Sequence, residues 1–262
     1  MSEIERIDAI MNMLYRKSIV KNEELEEKFN ASSVTIRRDL GKLQKEGLIV
    51  RFRGGAMLAK SKLGHEPSLD ERECENLQQK RMIGITAANL VEKGDIVALD
   101  IGSTTMEIAK ALRSHENITV FTSSLPIANI FYNTNVKVYL VGGLLKQKEL
   151  CLGGPIARSV IRQYHFDKFF LGAAGIDQNG SITDFDIDEV ETKKVFIERS
   201  EKVILAADSG KMGKTSFIEV ASYPAICTLI TDGEANFPMR KKLQERGMEV
   251  IIADAFRKSP HK

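Results

Sequence analysis

Residues 31–56 read ASSVTIRRDLGKLQKEGLIVRFRGGA. Ser32 stands where a side-chain oxygen can cap a helix, and Ile36, Leu40 and Leu43 follow it at helical spacing. Gly47 ends that helix, because glycine accepts the left-handed turn beyond a last helical residue. Residues 48–58, LIVRFRGGAML, read as a β-hairpin with Gly54 and Gly55 near its turn and Arg51 and Arg53 pointing outward. Working outward, residues 22–29 (NEELEEKF) form a short helix with Asn22 as N-cap and Leu25 and Phe29 facing inward. Ile4, Ile7, Ile10, Met11 and Leu14 predict a first amphipathic helix. Two helices joined by the tight turn NASS make a helix-turn-helix unit, and the hairpin adds a wing.

Charge follows the same division. The chain has a net charge of +2, yet residues 1–62 hold 13 basic and 9 acidic side chains, and residues 33–62 hold 8 basic and 2 acidic. A basic block in a near-neutral chain is the electrostatic footprint of nucleic-acid binding. Ser33, Thr35, Arg37, Arg38 and Lys42 fall off the buried stripe, near the start of the helix, the part that enters a major groove. Arg51 and Arg53 suit phosphate contacts, which position without reading bases. The bland alternative for Arg37 and Arg38 is a surface ion pair with Asp39 or Glu46.

After a polar connector, residues 69–95 read as one long helix, and apolar strands then alternate with helical stretches. The runs at 96–102, 118–124, 137–143, 168–176, 202–208, 228–233 and 249–253 predict a mainly parallel α/β sheet. Ligands bind such sheets at the carboxyl ends of their strands. Those ends carry Gly102, Ser103, Thr104 and Thr105; Thr122, Ser123 and Ser124; Gly142 and Gly143; Gly172; and Asp208 with Lys211. Hydroxyls and backbone N–H groups opening a helix make an anion site, and five such ends together suggest a pocket for a small polyhydroxylated anion.

Residues 31–56 resemble the winged helix of the DeoR family of bacterial transcriptional regulators. Ser32, Thr35, Ile36, Arg37, Arg38, Asp39, Leu40, Gly47, Ile49, Arg51, Gly54, Gly55 and Ala56 match its motif, while Ala31 and Arg53 replace its usual Val and His. The resemblance continues through D-x-G-S-T-T at Asp100, T-x-S-L at Thr122, E-x-E-x-K-K at Glu189 and D-x-x-K at Asp208. It implies an N-terminal winged helix-turn-helix (1–57), a linker (58–68), and an α/β effector domain (69–257) similar in fold to ribose-5-phosphate isomerases, with a short tail (258–262) expected to be disordered. It further implies operator DNA as one partner and a phosphorylated sugar or sugar-alcohol as the other. Residues 102–105 would then hold the phosphate, while Asp100, Glu189, Lys193, Asp208 and Lys211 would line or organise the pocket. The plain alternative for Glu189 and Lys193 is a surface i, i+4 pair. A homo-oligomer, dimer or tetramer, is expected, with repression commoner than activation.

Composition narrows the remaining classes. No apolar run approaches the roughly 20 residues of a membrane helix, and the N-terminus does not read as a secretory signal. Cys74, Cys151 and Cys227 are widely spaced and read as reduced, buried thiols of a cytoplasmic protein; no metal or cofactor is expected. Residues 207–216, ADSGKMGKTS, end in the Gly-Lys-Thr of a nucleotide-binding loop. Asp208 stands where that loop needs its first glycine and would repel phosphates, so the segment is read as a turn. A sugar-phosphate isomerase with an appended DNA-binding head is the alternative function, since Asp, Glu and Lys in one pocket can transfer protons. A nucleic-acid chaperone binding without sequence preference is a third reading.

Overall fold

In a computed structural model that describes residues 3–17, 19–45, 48–52, 54–58 and 67–253, the chain divides into two compact units, Met1–Lys62 and Leu63–Lys262. The first unit contains α1 (Glu3–Lys17), β1 (Ile19–Lys21), α2 (Asn22–Phe29), α3 (Ser33–Lys45), β2 (Ile49–Phe52) and β3 (Gly55–Leu58). Its strands pair antiparallel in the order β1-β3-β2. Ile10, Leu14, Leu25, Ile36, Leu40, Leu43 and Ile49 close one apolar core, as their spacing requires. Ser32 Oγ accepts the Thr35 N–H (3.2 Å), which makes it the cap of α3. Asn22 instead opens α2, and Lys21 precedes it without a side-chain cap. The Asn22 N–H is already engaged by the Gly54 carbonyl at 2.9 Å, which ties α2 to the wing.

The second unit begins with α4 (Leu69–Cys74) and α5 (Leu77–Ala88), followed by β4 (Ile96–Leu99), α6 (Ser103–Leu112), β5 (Thr119–Thr122), α7 (Leu125–Ile130) and β6 (Lys137–Leu140). It continues with β7 (Leu144–Lys146), β8 (Cys151–Gly153), α8 (Gly154–Ile161), β9 (Phe166–Leu171), β10 (Gly175–Ile176), β11 (Ile182–Asp184) and α9 (Ile187–Glu198). The last elements are β12 (Ser200–Ala206), β13 (Ile218–Ala221), β14 (Thr228–Asp232), α10 (Phe237–Glu245) and β15 (Glu249–Ala253). Seven strands form one sheet in the order β15-β14-β12-β9-β4-β5-β6, and every adjacent pair is parallel. Alternate strand residues feed two apolar layers. Val97, Leu99, Phe170 and Ile204 pack with Ile83, Ile108 and Ile127, while Ala98, Phe169, Leu171 and Leu205 pack with Ile161, Phe196 and Leu243. Helices on both faces explain the nearly continuous apolar strands.

The helix expected over residues 69–95 is two helices. Glu75 is extended and Asn76 left-handed (φ +52°) between them. The break has partners that sequence periodicity does not reveal: Asn76 Nδ2 donates to Asp208 Oδ1 (2.7 Å), and the buried Lys80 ammonium bonds the Arg72 and Glu75 carbonyls. The three thiols are free, but only Cys151 is buried; Cys74 and Cys227 are exposed. No helix among the described residues is long and apolar enough to cross a membrane. Glu46, Gly47 and Arg53, the residues 59–66 of the expected linker and the tail lie outside the described residues.

Gly84 decides how closely α5 approaches α6. A Cβ there would lie 2.6 Å from the carbonyl carbon and oxygen of Glu107. Alanine is the better helix former by about 1 kcal/mol, yet Gly84→Ala is expected to lower stability by about 1–3 kcal/mol through overpacking. Urea unfolding of the full chain checks the sign; a more stable variant would contradict the close packing.

Candidate functional site

The N-terminal unit presents a polar and basic helix surface. Ile36, Leu40 and Leu43 are buried on α3, which leaves Ser32, Val34, Arg37, Arg38 and Lys42 exposed and Ser33 and Thr35 half-buried. Asp39 takes no part in that surface: it is fully buried, and its Oδ2 lies 2.6 Å from Arg6 Nε. Lys42 is ion-paired with Glu3, and this hydrogen bond holds the Glu3 carboxyl below its ordinary range. Arg51 is exposed on β2, with Nη1 3.8 Å from where a Gly41 side chain would begin, so the glycine leaves room for the guanidinium beside α3. Val34, 72% exposed, escaped the sequence reading because an apolar residue there looks like core; a methyl-bearing side chain in this place suits a thymine methyl.

The second unit has a cleft over its three central strands. The cleft spans about 420 Å³ of space, much of it open to solvent. The turn after β4 supplies Gly102, Ser103, Thr104 and Thr105. Gly102, with φ +125°, precedes α6, whose first N–H groups have no partner within the helix. Thr105 Oγ1 donates to the Gly102 carbonyl (2.9 Å), while no described residue bonds the Ser103 or Thr104 hydroxyl. Gly172 after β9, Asp184 from β11, Glu189 and Lys193 from α9, Lys211 from the 3-10 turn after β12 and Arg72 from α4 complete the polar lining. An anion at the α6 N-terminus therefore meets N–H groups, hydroxyls and cations together.

Below the lining lies a buried charge cluster. Lys193 Nζ is 2.9 Å from Asp100 Oδ2 and 2.5 Å from Asp184 Oδ2, and the Gly172 N–H donates to Asp100 (2.9 Å). Burial acts to lower the Lys193 pKa, but the Asp100 and Asp184 carboxylates carry it above the lysine range. Burial pushes the Asp100 carboxyl up, against the opposing pull of Lys193. Glu189 lies 3.5 Å from Lys146, which also pairs with the α9 cap Asp186. Glu189 and Lys193 are thus buried and have different partners, not the surface pair their spacing allows. With Lys193 shared between two carboxylates, the cluster organises the cleft floor.

Other candidate positions serve the frame. The Thr122 hydroxyl accepts the Ser124 N–H (3.1 Å), Ser124 caps α7 through the Ile127 N–H (3.3 Å), and the Ser123 carbonyl accepts the Leu152 N–H (2.8 Å). Gly142 and Gly143 follow β6, outside the cleft lining; a Cβ on Gly143 would strike the Gly153 carbonyl at 2.4 Å. Asp208 is buried behind Lys211, accepting from Asn76 and the Gly210 N–H (3.0 Å). Gly213, at φ +73°, is a turn residue, and the chain proceeds to β13 without the helix a nucleotide loop needs. Arg72, Asn76 and Lys80 went unread because they sit in a presumed helix, and Asp184 because only the fold brings it to Lys193.

Residues 6–62 match the DeoR-like helix-turn-helix domain, and residues 75–233 match the DeoR C terminal sensor domain. The chain belongs to the DeoR family of DNA-binding transcriptional regulators. It is 35% identical to the HTH-type transcriptional regulator GlpR of Haloferax volcanii, over 87% of this chain and 89% of that protein. It is 32% identical to the glycerol-3-phosphate regulon repressor of Escherichia coli, over 96% of this chain and all of that protein. Ribose 5-phosphate isomerase A of Methanocaldococcus jannaschii superposes with a TM-score of 0.41 and 14% identity, over 53% of this chain and 55% of that one.

In this DeoR-family sensor domain Lys80 is buried behind the cleft. Burial lowers its pKa to about 8, with Asp208 opposing. The ordinary value is about 10.4, so between the two the unfolded chain binds more protons and stability rises with pH. Wild type is expected to gain about 2 kcal/mol relative to Lys80→Met between pH 7.5 and 9.5. Paired denaturant titrations at those pH values check this, and parallel curves would place the Lys80 pKa elsewhere.

Proposed function

We propose that this regulator binds a phosphorylated sugar or sugar-alcohol in the cleft of its second unit, and that the ligand controls the affinity of the N-terminal unit for operator DNA. The observation that carries the reading is the meeting of the α6 N-terminus, the Ser103 and Thr104 hydroxyls, Lys211 and Arg72 in one cleft floored by Asp184, Glu189 and Lys193. The first group suits a phosphate, and the carboxylates suit the hydroxyl donors of a polyol. The E. coli relative's name as a glycerol-3-phosphate regulon repressor supports repression and this ligand class. We assign residues 1–57 to DNA binding, 58–68 to a linker and 69–257 to effector binding. The protein acts in the cytoplasm as a homo-oligomer, dimer or tetramer, because paired heads match paired half-sites.

Ser32, Ser33, Thr35, Arg37, Arg38 and Lys42 belong to the DNA surface in this reading, with Arg51 and Arg53 on backbone phosphates. The isomerase alternative needs a carboxylate available for proton transfer, whereas Asp100 and Asp184 are both held by Lys193 and Glu189 is paired with Lys146. Thermal unfolding against inorganic phosphate, glycerol 3-phosphate, pentose and hexose phosphates and their unphosphorylated parents tests the cleft. A ligand at about 100 times its Kd stabilises by about 2.7 kcal/mol. A shift with one phosphorylated compound and none with its parent is expected; no shift across the panel would overturn the assignment.

Arg38→Ala is expected to weaken operator binding by about 1–3 kcal/mol while sparing non-specific DNA. Arg51→Ala should weaken all sequences alike and reduce the salt dependence by about one counterion. Fluorescence anisotropy at several salt concentrations, with operator and scrambled duplexes, separates the two roles; interchanged behaviour would reverse them.

A further inference from the structure

We infer that the Arg72–Glu149 ion pair is a latch operated by the anionic group of the ligand: Arg72 is handed from Glu149 to the anion, and the β7–β8 turn is released. The inference rests on the reading of the cleft as a phosphate site. Arg72 lines the cleft and is joined to Glu149, whose side chain is only 3% exposed. The second Glu149 oxygen is buried without a hydrogen-bond partner among the described residues. Arg72 is therefore the main compensation for a buried carboxylate and, at the same time, a cation facing the anion position.

The chemistry favours exchange. A guanidinium bonds a phosphate through two parallel N–H groups, and a dianion outweighs a single carboxylate. Glu149 would then be a buried charge without its cation, which is strongly unfavourable if nothing moves. It lies in the turn between β7 and β8, so moving that turn carries the carboxylate into water. The turn is already set for such a change. Leu150 holds φ +47°, a left-handed conformation that a leucine keeps only where its surroundings impose it. The hydrogen bonds from the Leu125 N–H to the Leu150 carbonyl and from the Leu152 N–H to the Ser123 carbonyl hold the far side, which confines the movement to residues 147–149. Lys80, bonded to the Arg72 and Glu75 carbonyls, holds the end of α4 in place, so the Arg72 side chain can swing without its helix.

A latch and a merely structural pair predict opposite effects of Glu149→Gln. Removing the competing carboxylate should tighten binding of inorganic phosphate and glycerol 3-phosphate to the full-length protein by several-fold in calorimetric titration. Arg72→Gln should weaken it on the order of tenfold. Hydrogen exchange of the wild-type chain gives a reading without substitution: ligand should slow exchange at residues 103–105 and speed it at 147–149. Equal or weaker binding by folded Glu149→Gln, or protection of the turn by ligand, would overturn the latch and leave the phosphate site standing. Wild type that binds none of the phosphate compounds in the thermal panel would overturn both.

Discussion

Lys193 is the charge on which the cleft of the second unit depends. A buried ammonium is costly in isolation, and two carboxylates within 3 Å make it tolerable. Those carboxylates come from different places in the chain: Asp100 from the end of β4 and Asp184 from the end of β11. Asp100 also accepts the Gly172 N–H after β9, so one lysine on α9 gathers the ends of three strands. The cleft thus combines two carboxylates sharing one ammonium with the positive potential of Arg72, Lys211 and the α6 N-terminus. On the proposed reading this combination orients the ligand, phosphate toward α6 and hydroxyls toward the carboxylates.

The strand order explains why only some strand ends build the cleft. β12, β9 and β4 are consecutive in the sheet, and their ends supply Lys211, Gly172 and residues 102–105. β5 and β6 lie beyond β4 toward one edge, where Thr122, Ser124 and Gly143 bond or pack against their own surroundings, including the β7–β8 hairpin. Glycine and small hydroxyl residues serve turns, caps and ligand sites with the same chemistry. Composition at a strand end therefore does not separate them, and the spatial order of the strands does.

Much of this architecture was legible because it rests on local patterns. The apolar stripe of α3, its Ser32 cap, the basic face and the run of buried strands each follow from spacing and residue type. The break at Asn76 was not legible, since the residues around it are acceptable helix formers and its partner, Asp208, lies 132 positions away. The roles of Arg72, Asp184 and Glu149 were hidden for the same reason: each is defined by a partner brought close only by the sheet. Glu189 and Lys193 show the opposite risk, because their spacing matches a surface pair while their burial gives them other partners.

A ligand can shift a regulator only by the difference in its affinity for two states. A rigid cleft that met the anion with every cation already in place would bind tightly and change nothing. On the proposed latch, holding Arg72 on Glu149 before the ligand arrives sacrifices some affinity, and that sacrifice is the free energy available to move the turn. The same exchange explains why Glu149 is buried at all, since an exposed carboxylate would release Arg72 at little cost and couple to nothing. A charge kept out of water by one removable partner converts the arrival of an anion into movement of the backbone.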